Sequence, residues 1–221
     1  NGTTTDKASP TIIGTELWID LAAGRSHTCA LTKNERNLYC WGLNDKGQLG
    51  DVSTTNKSVP TKIGNETWVS LSAGDYHTCG VKLSDGKMYC WGSNSKGQVG
   101  NGSVIGTSIT TPVLVSGDTI WSATASGNTH TCGISSYLNA LFCWGKNYSY
   151  GYSVLGDGTT TDRNTPRQIG ADEWLMVTGG AGHSCGIKKS DNGLYCWGAN
   201  NEGQLGDNGM RRTSPQLMAG Q

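Results

Sequence analysis

Residues 38–50 read LYCWGLNDKGQLG, and close variants of this string return three more times along the chain. The dipeptide WG marks each copy, at intervals of 50, 53 and 53 residues: Trp41, Trp91, Trp144 and Trp197. A period in this range is typical of solenoids and propellers, in which each repeat buries its apolar face against a neighbour. We therefore expect the 221 residues to form a single repeat domain.

The other repeated features lie on both sides of WG. Each unit carries an upstream His-x-Cys, opens with a second Trp and has a proline at a fixed phase. These landmarks predict units of about 50–53 residues at 1–51, 52–102, 103–158 and 159–209. Residues 210–221 start a partial fifth unit, which either closes a ring or is shared with another chain.

Local signals within a unit indicate β-strands. Short apolar segments alternate with glycine turns, and no 3.6-residue stripe exceeds one helical turn. In the second unit we predict strands at 68–72, 76–82 and 87–91, with a hairpin turn at 84–86 and a proline-led outer strand at 59–63. Four short strands per repeat predict an all-β propeller made of four-stranded blades.

The eight cysteines form four pairs that are each eleven positions apart: Cys29 and Cys40, Cys79 and Cys90, Cys132 and Cys143, Cys185 and Cys196. In a hairpin centred between the members of a pair, the two residues are directly opposite on neighbouring strands, within the usual disulfide distance. Eight cysteines allow 105 full pairings, and the fourfold regularity favours four disulfides within the units.

The strings AAGRSHTCAL (22–31) and LYCWGLNDKGQLG (38–50) resemble the regulator of chromosome condensation repeat. The resemblance covers essentially the whole chain and implies a β-propeller, commonly of seven blades. With four units and a fraction present, either the ring is small, or the array is part of a longer one, or two chains complete a ring. Cysteines beside His-Thr and WG resemble the family's secreted branch. The motif residues maintain the fold, so no family activity is transferred.

Several repeated polar residues could form a catalytic or metal site. The four histidines could surround a metal, but an equivalent histidine in every repeat favours a buried hydrogen-bonding role, and we predict no metal and no cofactor. The recurrence of an aspartate after the repeated turn, at Asp51, Asp157 and Asp207, is explained better by turn capping than by acid–base catalysis. No nucleophile motif is present and all cysteines are paired, so we expect no enzyme activity.

Compartment and partner class follow from composition. Eight cysteines and five Asn-x-Ser/Thr sequons favour an extracellular, secreted or cell-surface glycoprotein. Asn56, Asn65 and Asn101 are the best candidate acceptors, whereas Asn147 belongs to the repeated WG-x-N turn. Seventeen basic and seventeen acidic residues without basic runs argue against nucleic acid, and no apolar stretch approaches the roughly 20 residues of a spanning helix.

The third unit departs most from the repeat. In place of GQLG it carries an insertion with three tyrosines, Tyr148, Tyr150 and Tyr152, which makes it the candidate binding patch because Tyr-Ser-Gly loops suit recognition. Packing of these rings on a neighbouring unit is the alternative. We predict a non-enzymatic interaction module that binds a protein or glycan through one rim. A structural subunit that assembles with copies of itself, and a sugar-specific lectin, remain alternatives.

Overall fold

The fold is described from a computed structural model, which covers residues 2–103, 106–149, 152–206 and 212–218. Every regular element in these ranges is a β-strand, which confirms the all-β class predicted from the repeat. Within the same ranges no helix is long and apolar enough to cross a membrane.

Sixteen strands follow one another along the described ranges. The first seven are β1 (Trp18–Ala23), β2 (His27–Thr32), β3 (Asn37–Gly42), β4 (Lys57–Ala73), β5 (His77–Lys82), β6 (Met88–Ser93) and β7 (Ser108–Leu114). The remainder are β8 (Trp121–Ser126), β9 (His130–Ser135), β10 (Ala140–Gly145), β11 (Tyr148–Ser149), β12 (Tyr152–Ser153), β13 (Arg163–Gly179), β14 (His183–Lys188), β15 (Leu194–Gly198) and β16 (Arg212–Leu217).

Antiparallel pairing groups the strands into four sets of four, which we call units one to four. The first half of β4 pairs with β3, and its second half pairs with β5. β13 is divided in the same way between β10 and β14. The units therefore contain β1–β2–β3–β4, β4–β5–β6–β7, β8–β9–β10–β13 and β13–β14–β15–β16. Gly64 and Gly170, with φ of 60° and 64°, lie where the two long strands pass between units.

The proline-led strand belongs to a different unit from the one expected. Residues 59–63 were expected to form the outer strand of the second unit, but Thr61 pairs with Cys40 in unit one. Likewise, β16 is the outer strand of unit four, because Leu217 pairs with Tyr195. Each proline-containing strand thus pairs with the WG strand that precedes it in the chain. The sheets are therefore offset by about one strand from the sequence repeat.

The disulfides confirm the predicted pairing. Cys29 is directly opposite Cys40 on the β2–β3 hairpin, and the other three units repeat this register. All four eleven-apart pairs are bonded, and no cysteine is free. Each disulfide therefore joins the two central strands of its own unit.

The apolar core is divided into three clusters, and each cluster lies between two consecutive units. The preceding unit contributes its disulfide and aliphatic side chains such as Leu31, Leu38 and Leu49. The following unit contributes its two tryptophans, here Trp68 and Trp91. In the part of the chain that the structure describes, each of these clusters is completed by residues of two units, as expected for a repeat array.

Candidate functional site

The repeated histidines connect consecutive units. Nε2 lies 2.9 Å from a hydroxyl of the next unit in the pairs His27–Thr78, His77–Thr131 and His130–Ser184. The Thr78 hydroxyl donates to the Gln48 carbonyl at 2.8 Å, and the Trp91 indole N–H donates to the same carbonyl at 2.9 Å. The histidines therefore hold neighbouring units together, as the sequence favoured.

Burial and hydrogen bonding keep these imidazoles neutral. Because the Thr78 hydroxyl gives its proton to Gln48, Nε2 of His27 must donate to that hydroxyl. Nδ1 of His27 and of His77 is buried without a partner. Desolvation lowers the pKa of His27 to about 4, while desolvation and then repulsion from His130 and His27 lower the pKa of His77 to about 3. Desolvation, followed by repulsion from His183, lowers the pKa of His130 to about 4.

The described residues contain no group of three or more metal-ligating side chains. Each buried histidine instead directs Nε2 at a hydroxyl of the adjacent unit. The arrangement therefore offers hydrogen bonding between units and no assembled coordination site in this part of the chain.

Asp51 and Asp157 cap the turns that follow the WG strands. Asp51 accepts from the backbone of Ser53 at 3.1 Å and pairs with Lys57 at 3.2 Å. Asp157 pairs with Arg163 at 2.8 Å. Burial raises the pKa of both carboxyls, but hydrogen bonds from Ser53 and Arg163 respectively outweigh it, so both pKa values lie below the ordinary range. Such carboxylates are poorly suited to general acid catalysis. Asp207 lies outside the described residues.

The tryptophans mostly serve the core. Those of units two to four are buried, namely Trp68, Trp91, Trp121, Trp144, Trp174 and Trp197, whereas Trp18 and Trp41 of unit one are half-buried. The two tryptophans of a unit pack on each other, with ring centroids 5.7 Å apart for Trp68 and Trp91. The buried rings offer no open face on which a sugar could stack.

The sequon asparagines differ in exposure. Asn147 is fully buried, and its amide donates to Asp157 at 2.9 Å, so a glycan on this side chain is incompatible with the fold. Asn65 is exposed beside the β4 bend. Asn56 is exposed but accepts from the Asn44 backbone, and Asn101 is half-buried and caps the turn at Ser103. Use of these three sites stays a prediction, for which Asn65 has the most open environment.

The tyrosine insertion of unit three forms a hairpin with a fixed base. β11 and β12 pair through Tyr148–Ser153 and Ser149–Tyr152. The buried Asn147 side chain accepts from Leu155 N and from the Ser153 hydroxyl, both at 3.0 Å. The Tyr148 side chain is 55% exposed. Tyr150 lies outside the described residues, as does the side chain of Tyr152.

This hairpin lies on the face that we call the WG face, which comprises the loops after the WG strands and the turns between the first and second strands of each unit. β10 ends at Gly145, directly opposite His130, where β9 begins. The same face contains a cavity of about 210 Å³ lined by the turns at 23–25, 73–75, 126–128 and 179–181. Arg25 and Asp75 pair across it at 3.7 Å.

A second exposed patch in unit three was missed by the sequence interpretation. Tyr137 and Leu138, in the β9–β10 turn, are 91% and 61% exposed. They lie at the opposite end of the strands from the WG face, because this turn joins the other ends of β9 and β10. Comparison of the four turns would have revealed them, since unit two has Ser84 and Asp85 there.

Comparison with solved structures finds the same fold in longer proteins. Human WBSCR16 superposes with a TM-score of 0.81 at 20% identity, covering 92% of this chain and 53% of that one. Prp20p of Saccharomyces cerevisiae gives 0.72 at 28% identity, covering 92% and 50%. The ectodomain of the Physcomitrella patens receptor kinase CR4 gives 0.59 at 21%, covering 90% and 45%. The chain thus spans about half the length of these structures.

Family models match the repeats directly. Both are described as regulator of chromosome condensation (RCC1) repeat; one matches residues 37–81, 85–134 and 139–187, and the other matches 18–48, 68–98 and 177–204. The matched segments contain the His-x-Cys and WG strings and the strands that carry them. The chain therefore belongs to the regulator of chromosome condensation repeat family, and its four disulfides fit the disulfide-containing branch.

Proposed function

We propose that this chain is an extracellular interaction module without catalysis of its own, and that it binds a protein through the WG face of unit three. The observation that carries this proposal is the β11–β12 hairpin, whose base is held by Asn147 and whose Tyr148 side chain is exposed. A rigid aromatic anchor on a fixed base loses little conformational entropy on binding.

The comparisons favour a protein as the partner. Structures of the yeast relative Prp20 are described as bound to Kap60 and in terms of binding to Gsp1p and histones. In this chain the buried tryptophans are unavailable for sugar stacking, which weakens the lectin alternative. The lectin alternative would be supported if the intact chain bound a glycan on an array and Tyr148→Ala abolished that binding.

The disulfides support the proposed compartment. Four bonded pairs in 221 residues indicate an oxidising environment, because thiols stay reduced in the cytosol. The absence of catalysis is supported by the local role of the repeated polar residues. Asp51 and Asp157 cap turns, and His27, His77 and His130 are engaged between units.

The test compares three forms of the immobilised chain in extracts of secreted and surface proteins from the source cells. Wild type and Tyr137→Ala should retain the same protein, and Tyr148→Ala should bind it at least about tenfold more weakly, as expected for a central aromatic anchor. Tyr137 is the matched control, because it is an exposed tyrosine of the same unit at the opposite end of the strands. Equal retention by all three forms would refute a site at the hairpin.

A further inference from the structure

Units two and four each hold a lysine of their own in a cage of aromatic and acidic side chains. In unit two the Lys82 ammonium lies 4.3 Å from the centre of the Tyr89 ring and 3.3 Å from a carboxylate oxygen of Glu66. The Tyr89 hydroxyl donates to the Asp85 carboxylate at 2.9 Å. The tyrosine therefore offers its ring to the cation, and the two carboxylates balance the positive charge.

Unit four repeats the cage of unit two. The Lys188 ammonium lies 4.2 Å from the centre of the Tyr195 ring and 3.0 Å from a carboxylate oxygen of Asp172. The Tyr195 hydroxyl donates to the Asp191 carboxylate at 2.8 Å. The same position of the repeat thus holds an ammonium group twice in this chain, on residues of the same types.

Unit one has the residues of this cage without the lysine. Thr32 occupies the lysine position, since it is opposite the first tryptophan of its unit, as the two lysines are in theirs. Glu16 precedes that tryptophan by two residues, as Glu66 does in unit two. Glu35 follows the lysine position by three residues, as the two cage aspartates do. Unit one therefore keeps both carboxylates of the cage.

A cavity of about 330 Å³ lies at this position of unit one, and its lining includes Thr32, Tyr39, Glu16 and Glu35. Tyr39 packs edge-on against Trp18 with ring centroids 5.7 Å apart, as the cage tyrosines do against their tryptophans. Among the described residues neither glutamate forms an ion pair. The cavity therefore combines a tyrosine ring with two carboxylates that lack a cation within the described chain.

Unit three shows that a unit without the lysine does not need the rest of the cage. Its lysine, tyrosine and two carboxylate positions hold Ser135, Phe142, Thr119 and Leu138. Unit three thus has neither the cation nor the acidic residues, whereas unit one lacks only the cation. Two unpaired carboxylates beside a tyrosine are what a site for an external cation requires.

The access to this cage does not depend on whether another unit precedes unit one. Unit two does follow another unit, and its cage still borders a cavity of about 400 Å³ whose lining includes Lys82, Tyr89 and Glu66. The Glu66 side chain is 57% exposed there. A preceding unit therefore leaves the cage open to solvent.

We propose that the cavity of unit one binds the ammonium group of a lysine side chain presented by a partner protein. The ammonium faces the Tyr39 ring and pairs with Glu16, as the lysine of unit two does within its own cage. Thr32 ends β2, at the strand ends opposite the WG face, so this site is separate from the Tyr148 hairpin. The inference does not rest on the protein partner proposed for that hairpin.

The experiment titrates the 221-residue chain with Nα-acetyl-lysine N-methylamide and follows the ring signals of Tyr39 by NMR. The Nε-acetylated form of the same probe tests whether the positive charge is needed. Thr32→Lys supplies the cage with its own lysine, and Glu16→Gln removes one carboxylate. Glu202→Gln is the matched control, because it removes the same charge from an exposed position in unit four.

Wild type and Glu202→Gln should bind the charged probe with millimolar affinity and should not bind the acetylated one. Glu16→Gln should bind the charged probe about two- to fivefold more weakly, as expected for loss of a partly exposed ion pair. Thr32→Lys should not bind it, because its own lysine fills the cage. A wild type that does not bind, or either cage variant binding as wild type does, would overturn the proposal. Circular dichroism checks that every variant is folded.

Discussion

At the residue scale, the repeat signature is explained by the packing of its histidine. A Cβ on Gly74 would clash with Cε1 of His77 and with the Gly127 carbonyl, so AG-x-x-H needs glycine for the ring to fit. The ring then reaches Thr131 of the next unit. The signature residues are therefore those that join one unit to the next.

The buried histidines predict that acid weakens the fold. Imidazoles titrate near 6.5 in the unfolded chain, whereas His27, His77 and His130 have folded pKa values of about 4, 3 and 4. Between pH 6.5 and pH 4 the unfolded chain binds more protons than the folded chain. The contribution of the neutral histidines to the free energy of unfolding is therefore complete above pH 6.5 and declines as the pH falls towards 4. Each imidazole can contribute up to about 1.4 kcal/mol per pH unit.

Urea unfolding at pH 7, 6 and 5 measures this decline in the free energy of unfolding. This pH interval lies above the range in which carboxyl groups titrate. The free energy of unfolding of His77→Gln should decline less steeply than that of wild type. A free energy of unfolding that is unchanged between pH 7 and pH 5 would contradict the neutral, buried state of the histidines.

The hydroxyl that accepts the hydrogen bond from each buried histidine leads to a second prediction. Thr131→Val removes the acceptor of His77 and the donor to Gln98, and it should lower the free energy of unfolding by about 1–3 kcal/mol. Thr28→Val, at the equivalent position of unit one, should cost at most about 0.5 kcal/mol in dilute protein, because no side-chain hydrogen bond of Thr28 is found among the described residues. Equal losses in urea unfolding would show that the hydroxyl does not link the units.

At the element scale, the sequence predicts hairpins well and the grouping of strands less well. The eleven-residue cysteine spacing determines the β2–β3 register, because directly opposite residues follow from the hairpin midpoint. The proline strand at 59–63 was assigned to the wrong unit, because a repeat defines a period but not which neighbouring strand forms the hydrogen bonds. Tyr137 was missed because it interrupts no motif, whereas the tyrosine insertion replaces one.

The disulfides should stabilise internal and terminal units differently. Removing Cys79 and Cys90 by double alanine substitution should lower the free energy of unfolding of the array by roughly 2–3 kcal/mol, because unit two packs on neighbours at both sides. Removing Cys185 and Cys196 should loosen unit four alone, since it has a described neighbour on one side. Amide hydrogen exchange should then rise within 174–217 and stay unchanged in unit two; a rise across all four units would contradict this.

At the scale of the whole molecule, four similar units form an array whose cores all lie between units. The array belongs to a family in which solved structures are about twice as long. Unit three alone carries an exposed tyrosine hairpin among the described residues, and the binding proposal is placed there. The scaffold follows from what the repeats share, and the proposed function from where one repeat differs.

Each unit is a sheet whose two central strands are joined by a disulfide. A thiol titration and a non-reducing peptide map of the chain recovered from a secretory host test this most directly. We predict no free thiol and four linked peptide pairs, each joining cysteines eleven positions apart. Free thiols in the folded protein, or a bridge between different units, would contradict the claim.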